Sequence, residues 1–159
     1  MATATKTNRD LRTLDDVAEW LGVSSKQLKY ILYVCPYHSR YSVFKISKRS
    51  GGERIILAPR RELKYIQFKL SKKLYDIYKP RNPVQGFRIG KSIVTNAQMH
   101  TQARHIFNID LENFFGTINF GRVRGLFIKK PFAFRHRIAT ILAQICCYEN
   151  MLPQGAATS

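Results

Sequence analysis

Leu14, Val17, Ala18 and Leu21 recur at the i, i+3, i+4, i+7 spacing of one helix face. Thr13 stands before them with Asp16 three residues on, the pattern of a capping box, and Gly22 follows as a stop. Ser24 or Ser25 opens a second helix with Leu28, Ile31 and Leu32 inward, broken by Cys35-Pro36. Ala18, Gly22 and Leu28 also have the spacing of a DNA-binding helix-turn-helix, although any tight helical hairpin needs a small residue and a turn glycine there. The period then changes to two. Tyr41–Ser47 reads as a strand with Phe44 and Ile46 on one face, Ser50-Gly51-Gly52 as a turn, and Arg54–Ala58 as the returning strand closed by Pro59. Over 61–79, Leu63, Ile66, Leu70, Leu74 and Ile77 predict a long helix, stopped by Pro80 and Pro83. A glycine-containing loop over 85–92 leads into a short helix through Ala97. His105–Leu111 is the strongest strand pattern, and Glu112–Gly116 turns sharply after it. Asn119 caps a helix carrying Val123, Leu126 and Phe127. A last helix, from about Phe134 to Tyr148, has Ile138, Ile141, Leu142 and Ile145 inward. The pattern predicts an α+β fold that opens with a helical hairpin, and residues 1–12 read as a polar, flexible tail.

Charge changes this picture more than composition does. The 159 residues carry 27 Lys+Arg against 10 Asp+Glu, a net charge of +17. Such a surplus is relieved by a polyanion, and the bases run along the whole chain rather than along one amphipathic membrane helix. No apolar run approaches the roughly 20 residues that span a bilayer, and the first residues lack the apolar core of a secretory signal. Cys35, Cys146 and Cys147 have neither a disulfide framework nor zinc-site spacing, and read as reduced thiols in a cytosolic protein.

Candidate chemistry follows from the scarce acids. Between Asp76 and Glu149 there are only Asp110 and Glu112. A carboxylate at a strand end, followed by a turn with free N–H groups, suits Mg²⁺ shared with a triphosphate, although a turn or helix cap uses the same residue. Lys48, Arg49 and Arg54 surround the hairpin tip, as a phosphate clamp or as a solvated charged end. Arg88 and Lys91 suit nucleic-acid backbone contacts, or an ordinary structural turn. Their loop is not a P-loop, because Gly86 has the wrong spacing from Gly90.

Ile109-Asp110-Leu111-Glu112-Asn113-Phe114-Phe115 resembles motif A of reverse transcriptases, and Leu152-Pro153-Gln154-Gly155 resembles their motif B. Further blocks occur in the family's order. They are Phe44–Lys48 with Gly52–Ile56, Pro59 with Leu63–Gln67, Gly86-Phe87 with Gly90–Ile93, and Ile145–Tyr148. Together they cover about residues 14–159, and the type they most resemble is the bacterial retron reverse transcriptase. The resemblance implies a right-hand polymerase whose N-terminal helices and fingers span 13–103, with the first part of a palm and its antiparallel sheet over 104–159. It implies RNA-templated DNA synthesis by two-metal nucleotidyl transfer. Asp110 would hold two Mg²⁺ ions, with the Leu111 carbonyl as a further ligand. Lys48 and Arg54 would grip the β- and γ-phosphates. Asn113 and Phe114 would face the triphosphate, Phe115 would exclude a ribose 2′-OH, and Gln154 would border the dNTP. Arg61, Gly86, Arg88, Lys91 and Gly155 would lie along the template. Implied partners are a structured template RNA, an RNA/DNA hybrid, dNTPs and an accessory effector protein, in a bacterial cytoplasm and often in anti-phage defence.

Two departures qualify the resemblance. Ala157 stands where the family usually has proline, and the chain stops inside motif B. No Tyr-x-Asp-Asp occurs, so the paired aspartates of motif C are missing. One aspartate cannot hold two divalent ions beside a triphosphate. The chain is therefore expected to be a fragment without polymerase activity alone. The alternatives are a natural split subunit and a non-catalytic basic RNA- or DNA-binding module.

Overall fold

The computed structural model describes residues 7–47 and 51–159. They form an α+β arrangement in two compact units, one of Lys79–Glu112 and one of the chain on either side of it.

In the larger unit, α1 (Leu14–Leu21) starts at the expected capping box: the Thr13 side chain accepts from the Asp16 N–H, and the Asp16 carboxylate accepts from the Thr13 N–H. Gly22 ends it in the left-handed region at φ 65°. α2 (Ser25–Lys29) runs into a wider π-type turn, Tyr30–Val34, and stops at Cys35. The buried Arg40 closes that end, donating to the Cys35 carbonyl at 2.9 and 3.0 Å and to the Leu32 carbonyl at 3.1 Å. One of the chain's many cations is thereby committed to a helix terminus rather than to a polyanion.

β1 (Tyr41–Ser47) and β2 (Glu53–Pro59) pair antiparallel, from Tyr41 opposite Pro59 to Ser47 opposite Glu53. α3 (Arg61–Ile77) buries Leu63, Ile66, Gln67 and Leu70. α5 (Phe114–Thr117) is a single turn, and Asn119 caps α6 (Phe120–Ile128) by accepting from the Arg122 N–H at 3.0 Å. α7 (His136–Cys146) buries Ile138, Ile141, Leu142 and Ile145, as its period predicts. These helices share one core with Trp20, Leu28, Phe127, Phe132 and Phe134.

Several expectations need correction. The core begins before the capped helix. Leu11 is fully buried and the Asn8 side chain donates to the Phe132 carbonyl at 2.6 Å, so these two residues anchor the segment to the core while Arg9 and Asp10 stay exposed. Leu126 is 54% exposed, because α6 turns its Val123 and Phe127 side inward. Phe44 and Ile46 share a strand face, yet both are about half exposed. His105–Leu111 is not a strand, and the only sheet among the described residues is β1–β2. Alternating apolar residues create a strand only where a neighbour supplies the backbone ladder. None does here, and Ile106, Phe107, Ile109 and Leu111 are 61–87% exposed.

The smaller unit contains α4 (Ile93–Gln98), opened by a Ser92–Thr95 capping box. It is held by local bonds, such as Gln85 Nε2 to the Asn82 carbonyl at 2.8 Å and Thr95 Oγ1 to Gln85 Oε1 at 3.2 Å. No residue of 79–112 is buried. Among the described residues no helix is long and apolar enough to cross a membrane.

The cysteines are free thiols. Burial pushes the Cys146 thiol up to about 12 and Cys147 to about 11, while Cys35 is partly exposed. An alkylating or disulfide reagent is expected to modify Cys35 in the native chain and the adjacent pair only after unfolding. The linkage sign is fixed by the same burial. An acid held protonated by the fold lends stability below its unfolded value, so the denaturation midpoint falls as pH climbs from about 9 towards 12. Rapid native labelling of all three thiols is the contrary outcome.

Candidate nucleotide and nucleic-acid site

The backbone of the larger unit ties together segments that lie far apart in sequence. After α7 the chain makes a tight turn at Glu149 and Asn150, both at positive φ, closed by Tyr148 and Met151 exchanging N–H···O bonds at 2.9 Å. The returning arm runs beside the segment that precedes α6. Phe120 N–H donates to the Asn150 carbonyl at 3.0 Å and Leu152 N–H to the Ile118 carbonyl at 2.9 Å. Two residues later the Leu57 N–H of β2 donates to the Gln154 carbonyl at 3.0 Å. Gly155 follows at φ 109°, where a Cβ would come within 2.9 Å of Ile56 Cγ2. The glycine is thus needed twice, for its backbone angle and for its close approach to the strand.

This ladder brings Gln154 and Gly155 against β2, the strand that also carries the exposed Arg54. Gln154 holds β2 through its carbonyl, a backbone role that the residue type does not announce. Through Ile118 and Leu152 the same ladder reaches the α5 turn. Asn113 starts that turn at φ 51°, and Phe114 and Phe115 meet edge to face at 5.5 Å. Phe115 is half-buried against the core, whereas Phe114 is 44% exposed. Arg61 is exposed at the first position of α3. Lys48 lies outside the described residues, as do Arg49 and Ser50 of the hairpin tip. Gly51 and Gly52, at φ 87° and 83°, complete the turn into β2.

The remaining candidates belong to the smaller unit. Asp110 and Leu111 are exposed on the extended stretch before α5. Gly86 and Lys91 are exposed in the loop before α4. Arg88 bonds its own loop, donating to the Arg81 and Val84 carbonyls at 3.3 Å each. Among the described residues no three His, Cys, Asp or Glu side chains gather as a metal-ligating group. Asp110 with the Leu111 carbonyl and nearby Glu112 is a hard-oxygen donor set, yet too small for two Mg²⁺ ions.

Sequence reasoning missed Gln67, whose side chain locks the core behind β1. Its Nε2 donates to the Tyr41 hydroxyl and to the Ile145 carbonyl, both at 2.9 Å, and the residue is fully buried. The one available signal was a glutamine on the apolar face of α3.

Comparison with curated proteins gives matches along nearly the whole chain. It is 32% identical over 151 residues to Retron Ec86 reverse transcriptase of Escherichia coli, covering 94% of this chain and 46% of that protein. Retron Mx65 reverse transcriptase of Myxococcus xanthus is 37% identical over 144 residues, 89% of this chain and 33% of the relative. Retron Se72 reverse transcriptase of Salmonella heidelberg is 29% identical over 148 residues, 92% and 38% respectively. The chain spans less than half the length of each of these relatives. No protein-family model matches it.

Proposed function

We propose that this chain, retron reverse transcriptase-like over about nine tenths of its length, forms the fingers and first part of the palm of an RNA-directed DNA polymerase. The observation that carries this reading is the ladder from Ile118 through Leu152 and Gln154 to Leu57. It joins the segment after α5, the Leu152–Gln154 arm and β2 by backbone bonds, which supports reading them as parts of one dNTP site.

Each residue then has a limited task. Arg54 offers a guanidinium to the triphosphate from β2. Gln154 and Gly155 form a flat backbone edge for the base pair. Phe115, half-buried on a single helical turn, offers a stiff ring that would crowd a ribose 2′-OH. Asp110 supplies one carboxylate towards metal binding, and the donor set present here does not fit the two-ion reaction. Further carboxylates must come from a polypeptide that carries them, with a structured RNA as template and dNTPs as substrates.

The test is primer extension on an RNA template with labelled dNTPs and Mg²⁺ or Mn²⁺. The chain alone is expected to give no product. Mixed or co-expressed with the part of the Ec86 relative that this chain does not match, it is expected to extend the primer. Asp110→Asn is expected to abolish that product with the chain's urea midpoint unchanged. Extension by the chain alone, or undiminished extension with Asp110→Asn, would overturn the proposal.

A further inference from the structure

The outward face of α3 carries a repeated pair that the nucleotide site does not use. Lys69 Nζ lies 5.3 Å from the Tyr65 ring centroid and Lys72 Nζ lies 4.6 Å from that of Phe68. Both pairs have an aromatic residue at i and a lysine at i+4, and the second is shifted by three residues, about 4.5 Å along the axis. The helix does not need these rings for its packing. Leu63, Ile66, Gln67 and Leu70 cover the buried side, while Tyr65 is 47% and Phe68 46% exposed. Arg61 lies one turn before Tyr65 on the same face. The helix carries Arg61, Lys64, Lys69, Lys72 and Lys73 against only Glu62 and Asp76.

We infer that this face binds a single-stranded RNA segment outside the dNTP site, two successive nucleotides stacking at Tyr65 and Phe68 with their phosphates on Lys69 and Lys72. Exposed rings interleaved with cations are the chemistry of sequence-tolerant single-strand binding, since every base offers a π-face and every nucleotide a phosphate. A duplex hides its base faces and cannot use the rings. An acidic peptide could use the lysines, yet only a nucleic acid supplies a planar π-face with every phosphate, in step with a ring and a lysine repeated along the helix. The half-exposed rings therefore select the nucleic acid. The choice of RNA over DNA rests on the function proposed above.

Anisotropy of fluorescein-labelled rU12, dT12 and a 12-base-pair RNA duplex tests this on the full chain, without primer, dNTP or divalent ion. Failure here is thus separable from failure of primer extension. Tyr65→Ala and Phe68→Ala are each expected to weaken rU12 binding about 5- to 150-fold. Lys72→Gln is expected to lower the salt slope by about 0.7. Urea midpoints report whether each variant folds, and a 4-thiouridine-substituted rU12 is expected to crosslink within 61–75 of the unmutated chain. Tighter binding of the duplex or of dT12, rU12 affinity unchanged within about twofold in both aromatic variants, or crosslinks confined to other segments would overturn the inference.

Discussion

Gly155→Ala is expected to lower the chain's unfolding free energy by about 3 kcal/mol. Two separate costs add. At φ 109° an L side chain is strained wherever it points. The new methyl would also sit 2.9 Å from Ile56 Cγ2, which hangs directly on a branched Cβ and moves only if χ1 leaves its well. The Leu57 carbonyl oxygen would lie 3.5 Å from the same methyl, and the Leu57 N–H bond to the Gln154 carbonyl resists the loop drawing back. Urea denaturation measures the loss. Ile56→Ala in the same chain should recover the steric part and leave the backbone part, so the double-mutant cycle should give a coupling of about 1 kcal/mol. An unchanged midpoint in the single variant would mean that Gly155 is not held against β2.

Gln67→Ala is expected to cost a similar amount, about 3 kcal/mol, for a different reason. It deletes a buried side chain and strands two groups that it bonds in the interior, the Ile145 carbonyl and the Tyr41 hydroxyl. Burial also raises the Tyr41 phenol above its ordinary value. Gln67→Glu separates pairing from packing. Its protonated form keeps the shape and one donor, whereas its ionised form places a charge against the Ile145 carbonyl. The fold therefore holds that carboxyl above the unfolded value of about 4.3, and stability is lost as pH rises from there. A flat pH profile for Gln67→Glu, or a loss under about 1 kcal/mol for Gln67→Ala, would contradict the buried bonding.

The helices were legible because their determinants are local. Thr13 with Asp16, and the inward run of α7, need only neighbours three and four residues away. The hairpin was legible through its alternation and its glycine turn. The strand predicted at 105–111 failed for the opposite reason, since an alternating pattern says nothing about whether a partner strand exists. Gln67 and Arg40 were opaque as well. Each is a polar residue whose partners, the Tyr41 hydroxyl and Ile145 carbonyl for Gln67 and the Cys35 and Leu32 carbonyls for Arg40, become neighbours only after folding. At the candidate site, residue identity pointed to Gln154 and Gly155. Their hold on β2 comes from a carbonyl and a missing Cβ, which no side-chain chemistry reveals.

The unit that holds Asp110 has no buried side chain from Lys79 to Glu112. Selecting variant libraries for expression or heat tolerance would therefore leave this stretch almost unfiltered, and a loss of the metal-binding role proposed for Asp110 would pass as neutral. Directed evolution of such a chain has to score product in the complemented reaction, because endurance does not report on Asp110.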